Sequence, residues 1–332
     1  MKDACNEKTP VACINPYARV AWDTAKQVKS MSHWHLKKQD TFEFAIREGF
    51  SHIAPSNYQP SVPTYPIENF FTDIPSGVVG CPNSEKIFTT NTGGAMHFNA
   101  LGSFADGYGH NPEERENLTT WQVAFDRIFA GLQFECGGGI TLNHPNYYKE
   151  LVGDRFEMLL EMLDYDERVL GVEIYNGGYG MGNPGKELPK IHDTRYIDTW
   201  DAILATGRRC FGFAVVDWYN PEKSVGANIL LVPALTEEDC LKAYRNGEFY
   251  MQVKDSGIRF ENISYEDGRV SVSVNKDADI VFVTQNGRMK AISGKSASYT
   301  PTADDVYVRV EATDSEDAEA KIFSNPFMFR LK

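Results

Sequence analysis

The spacing of apolar positions changes character part-way along this chain. From about residue 26 to 235, short apolar runs alternate with segments whose apolar residues recur at helical spacing. The strand-like runs are Val28-Lys29-Ser30-Met31-Ser32, Gly77-Val78-Val79-Gly80, Gly93-Gly94-Ala95-Met96, residues 138–143, residues 169–176 and residues 211–216. Helical spacing predicts helices over 40–47, 119–129, 155–163 and 199–207, with Asp40 as an N-cap and Gly49 as a stop for the first. From about residue 255 the pattern becomes strict alternation, as in Arg269-Val270-Ser271-Val272-Ser273-Val274 and Val306-Tyr307-Val308-Arg309-Val310. Asp267-Gly268 and Asn286-Gly287 are hairpin turn signals.

Alternation of strands and helices predicts an α/β architecture over residues 1–252, with a lead-in to about residue 20 and a bridging helix and strand over 235–250. Residues 253–332 then predict a small all-β antiparallel sandwich. Two stretches, 55–76 and 177–194, read as long irregular loops.

Composition narrows the function. With 42% hydrophobic and 24% charged residues, the 332-residue chain is an ordinary globular protein. A formal charge of -13 argues against a nucleic-acid partner, which needs a basic surface. No run of 18 or more apolar residues occurs, so no membrane partner is expected. The polar start lacks a signal-peptide stretch, and the expected location is cytoplasmic. The six cysteines are scattered and read as reduced thiols, although Cys5 and Cys13 lie close in sequence.

The candidate chemistry lies where the strand-like runs end. His33 and His35 follow the first run as His-x-His, which places two imidazoles on one side of a strand. Glu85 follows the second, His97 the third, His144-Pro145 the fourth and Asp217 the last. In a barrel of alternating strands and helices these ends share one face, where active sites are built. Imidazoles and carboxylates gathered there suit Zn, Mn or Fe. Glu85 is the least supported, because no clean strand carries it. Residues 169–176 end in Asn176, an amide. His52 reads as structural, and His110 and His192 as solvated loop residues.

These motifs resemble the PHP (polymerase and histidinol phosphatase) family of metal-dependent phosphoesterases, in the branch with a C-terminal β-sandwich. The likeness runs from Asn15-Pro16-Tyr17 to the end. It rests on His33-Trp34-His35, on Glu85 about a dozen residues before His97, on His144-Pro145, on Glu173-Ile174-Tyr175-Asn176, and on Asp217-Trp218-Tyr219 as a partial match to D-x-H. The resemblance implies a distorted (β/α)7 barrel ahead of the sandwich. It implies one metal on His33, His35, Glu85 and Asp217, and a second on His97 and His144, with Glu85 bridging. Asn57 and Tyr219 stand where histidines are expected, and Lys37-Lys38-Gln39-Asp40 replaces S-D-G, so a third metal position is expected to be lost.

The function expected from this is hydrolysis of a small organic phosphate by water activated between two divalent metals. Glu85, Asp217 and Tyr219 are the catalytic candidates. Trp34, Asn57, Asn176, Arg195 and Trp218 are the substrate-binding candidates, and Lys149 is a further phosphate contact. Trp34 and Trp218 read equally well as packing residues. The alternative is a catalytically inactive PHP-like binding module that holds a metal or ligand, and a third reading is the handling of a sugar-like ligand.

Overall fold

A computed structural model describes residues 12–58, 64–89, 95–105, 120–145, 155–178, 195–218 and 225–332. Two sheets carry the architecture. The smaller contains β4 (Glu85–Thr89), β5 (Ala95–Leu101), β6 (Gly139–Leu142), β7 (Val169–Asn176) and β8 (Phe211–Val215), in that order. Strands β6, β7 and β8 are parallel, whereas β4 and β5 form an antiparallel hairpin whose second strand also pairs antiparallel with β6. The larger sheet begins with β1 (Lys26–Ser30), β2 (His52–Ile53) and β3 (Val79–Gly80), all parallel. It continues through β9 (Gly226–Val232) and β10 (Phe249–Val253), which run antiparallel.

Five α-helices occur among the described residues: α1 (Gln39–Arg47), α2 (Trp121–Ala130), α3 (Arg155–Tyr165), α4 (Arg195–Ala205) and α5 (Glu237–Asn246). Helix α2 lies between β5 and β6, and helices α3 and α4 cross over between the parallel strands β6, β7 and β8. Among the described residues between β2 and β3, the helical structure is a single 3₁₀ turn, Ile67–Asn69. The architecture is therefore mixed α/β and sheet-rich, and the (β/α)7 barrel expected from the sequence is not reproduced as a run of parallel strands. The departure has a local cause. Parallel strands need a crossover of a dozen or more residues, and β3, β4 and β5 follow one another too closely for that.

Helix ends follow their sequences. Thr120 caps α2 by accepting from the Val123 N–H, and Thr236 caps α5 by accepting from Asp239 N–H at 3.1 Å. Asp40 is not a cap: Lys38 holds that position without a side-chain bond, and Asp40 accepts from Thr41 instead. One turn further, Gly49 at φ +84° ends α1 as expected.

Beyond residue 253, β11 (Phe260–Glu266), β12 (Arg269–Thr284), β13 (Gly287–Tyr299), β14 (Tyr307–Asp314), β15 (Lys321–Ser324) and β16 (Phe327–Met328) are antiparallel, with the two predicted turns joining β11 to β12 and β12 to β13. Strand β15 pairs with β10, so one sheet runs without a break from β3 to the C-terminal strands. Its continuity matters for the site, because β9 and β10 back the strand that delivers His33 and His35.

Candidate metal centre

The two sheets meet where β1 and β8 run out. Trp34 and Asp217 form a parallel bridge, with His35 N–H donating to the Asp217 carbonyl and Asp217 N–H to the His33 carbonyl, both at 2.9 Å. This junction puts His33, His35 and Asp217 at one point by backbone pairing alone. His144 arrives two residues after β6. Glu85 and His97 arrive differently. They sit inside the hairpin, where Glu85 opposes Asn99 and His97 opposes Ile87, a diagonal relation on one face. The strand-end rule therefore holds for four of the six ligand candidates and fails for the two on the antiparallel pair. A strand does carry Glu85, but it starts at Glu85 rather than ending there.

All six side chains converge. Glu85 divides its two oxygens between two groups. Its Oε2 lies 3.5 Å from His33 Nε2 and 3.0 Å from His35 Nε2, and its Oε1 lies 2.7 Å from His97 Nδ1 and 3.3 Å from His144 Nε2. Asp217 Oδ1 lies 3.4 Å from His33 Nε2 and 3.3 Å from His35 Nε2. Two ligand sets result, His33–His35–Asp217 and Glu85–His97–His144, each with its donor atoms within 4.8 Å of one another. Donor atoms bonded to a common cation at about 2.0–2.2 Å stand roughly 3.0–3.5 Å apart, close to the 2.7–3.5 Å between the imidazole nitrogens and carboxylate oxygens here.

Unpaired nitrogens test whether a metal fits. His33 Nε2, His35 Nε2 and His35 Nδ1 are buried and make no hydrogen bond, although carboxylates stand close. A buried polar atom without a partner is costly. His33 Nε2 and His35 Nε2 both lack a hydrogen bond and both lie between the same two carboxylates, so a shared cation satisfies them together. The donor set, imidazole plus carboxylate, is one that binds Zn, Mn or Fe. The residues fit the group.

Electrostatics agree. Burial alone would depress the His33 pKa, but Asp217, Glu85 and Glu173 outweigh it and hold the group well above the usual histidine range. His35 is raised by Asp217 and Glu85 against the same burial penalty. Burial works to raise Glu85 and Asp217, yet His33 and His97 hold Glu85 well below the carboxylate range, and His33 and His35 lower Asp217. His144 is lowered, burial prevailing over Glu85, which favours the neutral imidazole that a metal needs. Without metal, protons on His33 and His35 take the part that cations would fill.

A layer behind the ligands fixes them. His33 Nδ1 meets Glu173 Oε1 at 2.6 Å; a carboxylate only accepts, so the proton sits on Nδ1 and Nε2 is free to ligate. Glu173 Oε2 accepts from the His144 N–H at 2.7 Å and from Asn176 Nδ2 at 2.9 Å, and the same Asn176 amide donates to Asp217 Oδ2 at 3.1 Å. One carboxylate thus ties a ligand of each set. Asn143 donates to Glu85 Oε1 at 3.2 Å. His144 and Asp217 both adopt positive φ, +29° and +59°, a strain that collects at functional sites. Gly178 is required here, because a Cβ would collide with the Trp218 carbonyl oxygen.

The remaining sequence candidates separate. Trp218 stacks on His35 with centroids 4.4 Å apart, beside the ligands as expected. Asn176, half-buried, donates to Glu173 and to Asp217. Trp34, expected at the pocket, instead points into the core, because alternate residues face opposite ways; it packs edge-on against Phe50 and Phe44. Asn57 is likewise fully buried, and its amide donates to the Leu36 carbonyl as a brace. Tyr219, Lys149, His110 and His192 lie outside the described residues, as do most of 177–194 and the side chain of Arg195, which begins α4. His52 is buried at 0% exposure beside Ser30, as its structural reading requires.

Sequence reasoning named Glu173 in its E-x-x-N motif but gave it no role at the site. Its signal was available: a lone carboxylate in an otherwise apolar, buried strand needs a charged or hydrogen-bonding partner.

No family model matches the chain, and no curated protein matches it. Among solved structures, it is similar to a two-domain protein from Bacteroides vulgatus ATCC 8482 containing a predicted PHP-like metal-dependent phosphoesterase. The identity is 12% and the TM-score 0.46, over 99% of this chain and 100% of the other. At that score the likeness decides nothing about this chain's activity. No helix among the described residues is long and apolar enough to cross a membrane.

Proposed function

We propose that the chain is a metal-dependent hydrolase with a dinuclear centre on His33, His35, Asp217, Glu85, His97 and His144, acting on a small organic phosphate. The observation that carries this reading is Glu85, whose two oxygens face two separate ligand sets at 2.7–3.5 Å. Two bound divalent cations supply an activated water and neutralise charge that develops on a phosphoryl oxygen.

The chain's own residues set the conditions for that chemistry. Glu173 keeps the proton of His33 on Nδ1 and orients the ring. Asn176 holds the outer oxygen of Asp217, and Asn143 donates to the Glu85 Oε1 that faces His97 and His144, so neither carboxylate swings away. Burial excludes bulk water from five of the six side chains, while His97, 15% exposed, marks the open side where substrate enters. The order of the motifs, His-x-His then Glu then His then His-Pro then Asp, supports phosphoester chemistry in particular.

The test is a panel of phosphomonoesters and phosphodiesters, assayed with metal-loaded protein and with the His97→Ala variant. Turnover that chelator and His97→Ala both abolish supports the reading. Protein that carries metal but turns over no phosphoester returns the choice to an inactive binding module.

A further inference from the structure

After β1, Trp34 and Leu36 are 0% exposed and lie in the core, while His33 and His35 turn into the carboxylates. Lys37 follows and is exposed. Its Nζ stands 4.3 Å from the Trp218 ring centroid, and that ring stacks on His35. Tyr58 packs on His35 as well, with centroids 4.8 Å apart. An ammonium is therefore held by a cation–π contact to a ring that itself stacks on a ligand of the centre.

Several lysines of the described residues are held in ion pairs: Lys29 with Asp255, Lys254 with Asp317 and Glu319, and Lys276 with Asp314. Lys37 Nζ makes no ion pair or hydrogen bond among the described residues, and the carboxylate it feels is Glu85 of the centre. With an overall formal charge of -13, the chain draws a phosphate toward the centre better if a local cation stands beside it.

We infer that Lys37, seated on Trp218, is the anion-binding residue of this site and takes a non-bridging phosphoryl oxygen of the substrate or of released phosphate. The inference rests on the dinuclear reading above and adds a recognition element to it. Lysine suits the task, since a compact charge with three donors on a flexible stem can follow a phosphate without fixing its orientation.

The experiment uses the full chain loaded with metal, as wild type, Lys37→Met and Lys37→Arg, with inorganic phosphate as the probe. Metal equivalents are counted first, and phosphate affinity is then measured by titration calorimetry. Lys37→Met should keep its metal and lose about tenfold or more in phosphate affinity, the scale of one charge-assisted contact. Lys37→Arg, which keeps the cation, should stay within about threefold of wild type. Because Lys37 is exposed, neither change threatens the fold. Wild-type phosphate affinity in Lys37→Met at unchanged metal content overturns the inference, as does metal-loaded wild type that binds no phosphate. A wild-type chain that takes up no metal instead overturns the dinuclear reading, and the metal count shows this before phosphate is added.

Discussion

Two buried charge clusters among the described residues are built on opposite terms. Around Arg309, every nitrogen of the guanidinium is bonded: Nε and Nη2 to the two oxygens of Asp201 at 2.6 and 2.7 Å, and Nη1 to Glu311 at 2.7 Å. Tyr307 completes Asp201, Arg288 completes Glu311, and Trp200 lies under the guanidinium. Protein groups close that cluster, which ties α4 to β14. Around Glu85, by contrast, ring nitrogens of His33 and His35 are left without hydrogen bonds among carboxylates that stand close. A closed cluster is structural. An open one at ligand spacing is built for something the chain does not itself contain.

Substitutions should separate the two. The largest effect falls on Glu85→Ala, which removes the group shared by both ligand sets. Metal bound per chain should fall to near zero, while the melting temperature of the metal-free protein changes far less than the metal content. Retention of one full equivalent would show that Glu85 does not bridge. Arg309→Met should do the reverse. Leaving Asp201 and Glu311 without their buried partner costs about 3–5 kcal/mol, seen as a lower denaturation midpoint, with metal content unchanged below the transition. Next is Glu173→Gln, where metal affinity should drop about 10–100-fold with the ligands intact, because the proton on His33 is no longer anchored. An unchanged affinity in a chelator competition would remove Glu173 from the centre.

The smallest effect is one of pH. His33 and His35 are raised in the metal-free fold, so their protonated forms add stability that is complete below the unfolded value near 6.5 and is lost as pH rises through the folded value. Metal-free protein should therefore lose stability above pH 6.5, by at most about 1.4 kcal/mol per pH unit for each proton. Metal-loaded protein should not, since cations displace those protons. The Arg309 cluster is silent here: Glu311 is lowered by Arg309 and Arg288 despite burial, so its stability is lost only in acid. Denaturation midpoints from pH 6 to 8.5, with and without metal, check this; parallel curves would contradict it.

Much of the site was legible because backbone pairing delivers it. His33, His35, His144 and Asp217 follow strands, and an apolar run ending in a ligand is visible in sequence. The His-x-His alternation also contained the fate of Trp34, which must face away. Glu85 and His97 were visible as residues but not in their setting, since nothing local distinguishes an antiparallel hairpin from two barrel strands. The role of Glu173 was hidden because its partners, His33 and the His144 backbone, are remote in sequence. The pairing of β10 with β15 was equally out of reach: period-two alternation marks a strand but not its neighbour. Asp40 shows the limit of local rules, an apt capping residue that came to lie inside the first turn of α1.

The most direct test of the account is metal stoichiometry, measured by elemental analysis on protein purified without chelator and then soaked with Zn, Mn or Fe. The account predicts about two equivalents per chain, lost in Glu85→Ala and kept in Arg309→Met. A value near zero after soaking would contradict it, because the unpaired nitrogens of His33 and His35 would then have no cation to satisfy them.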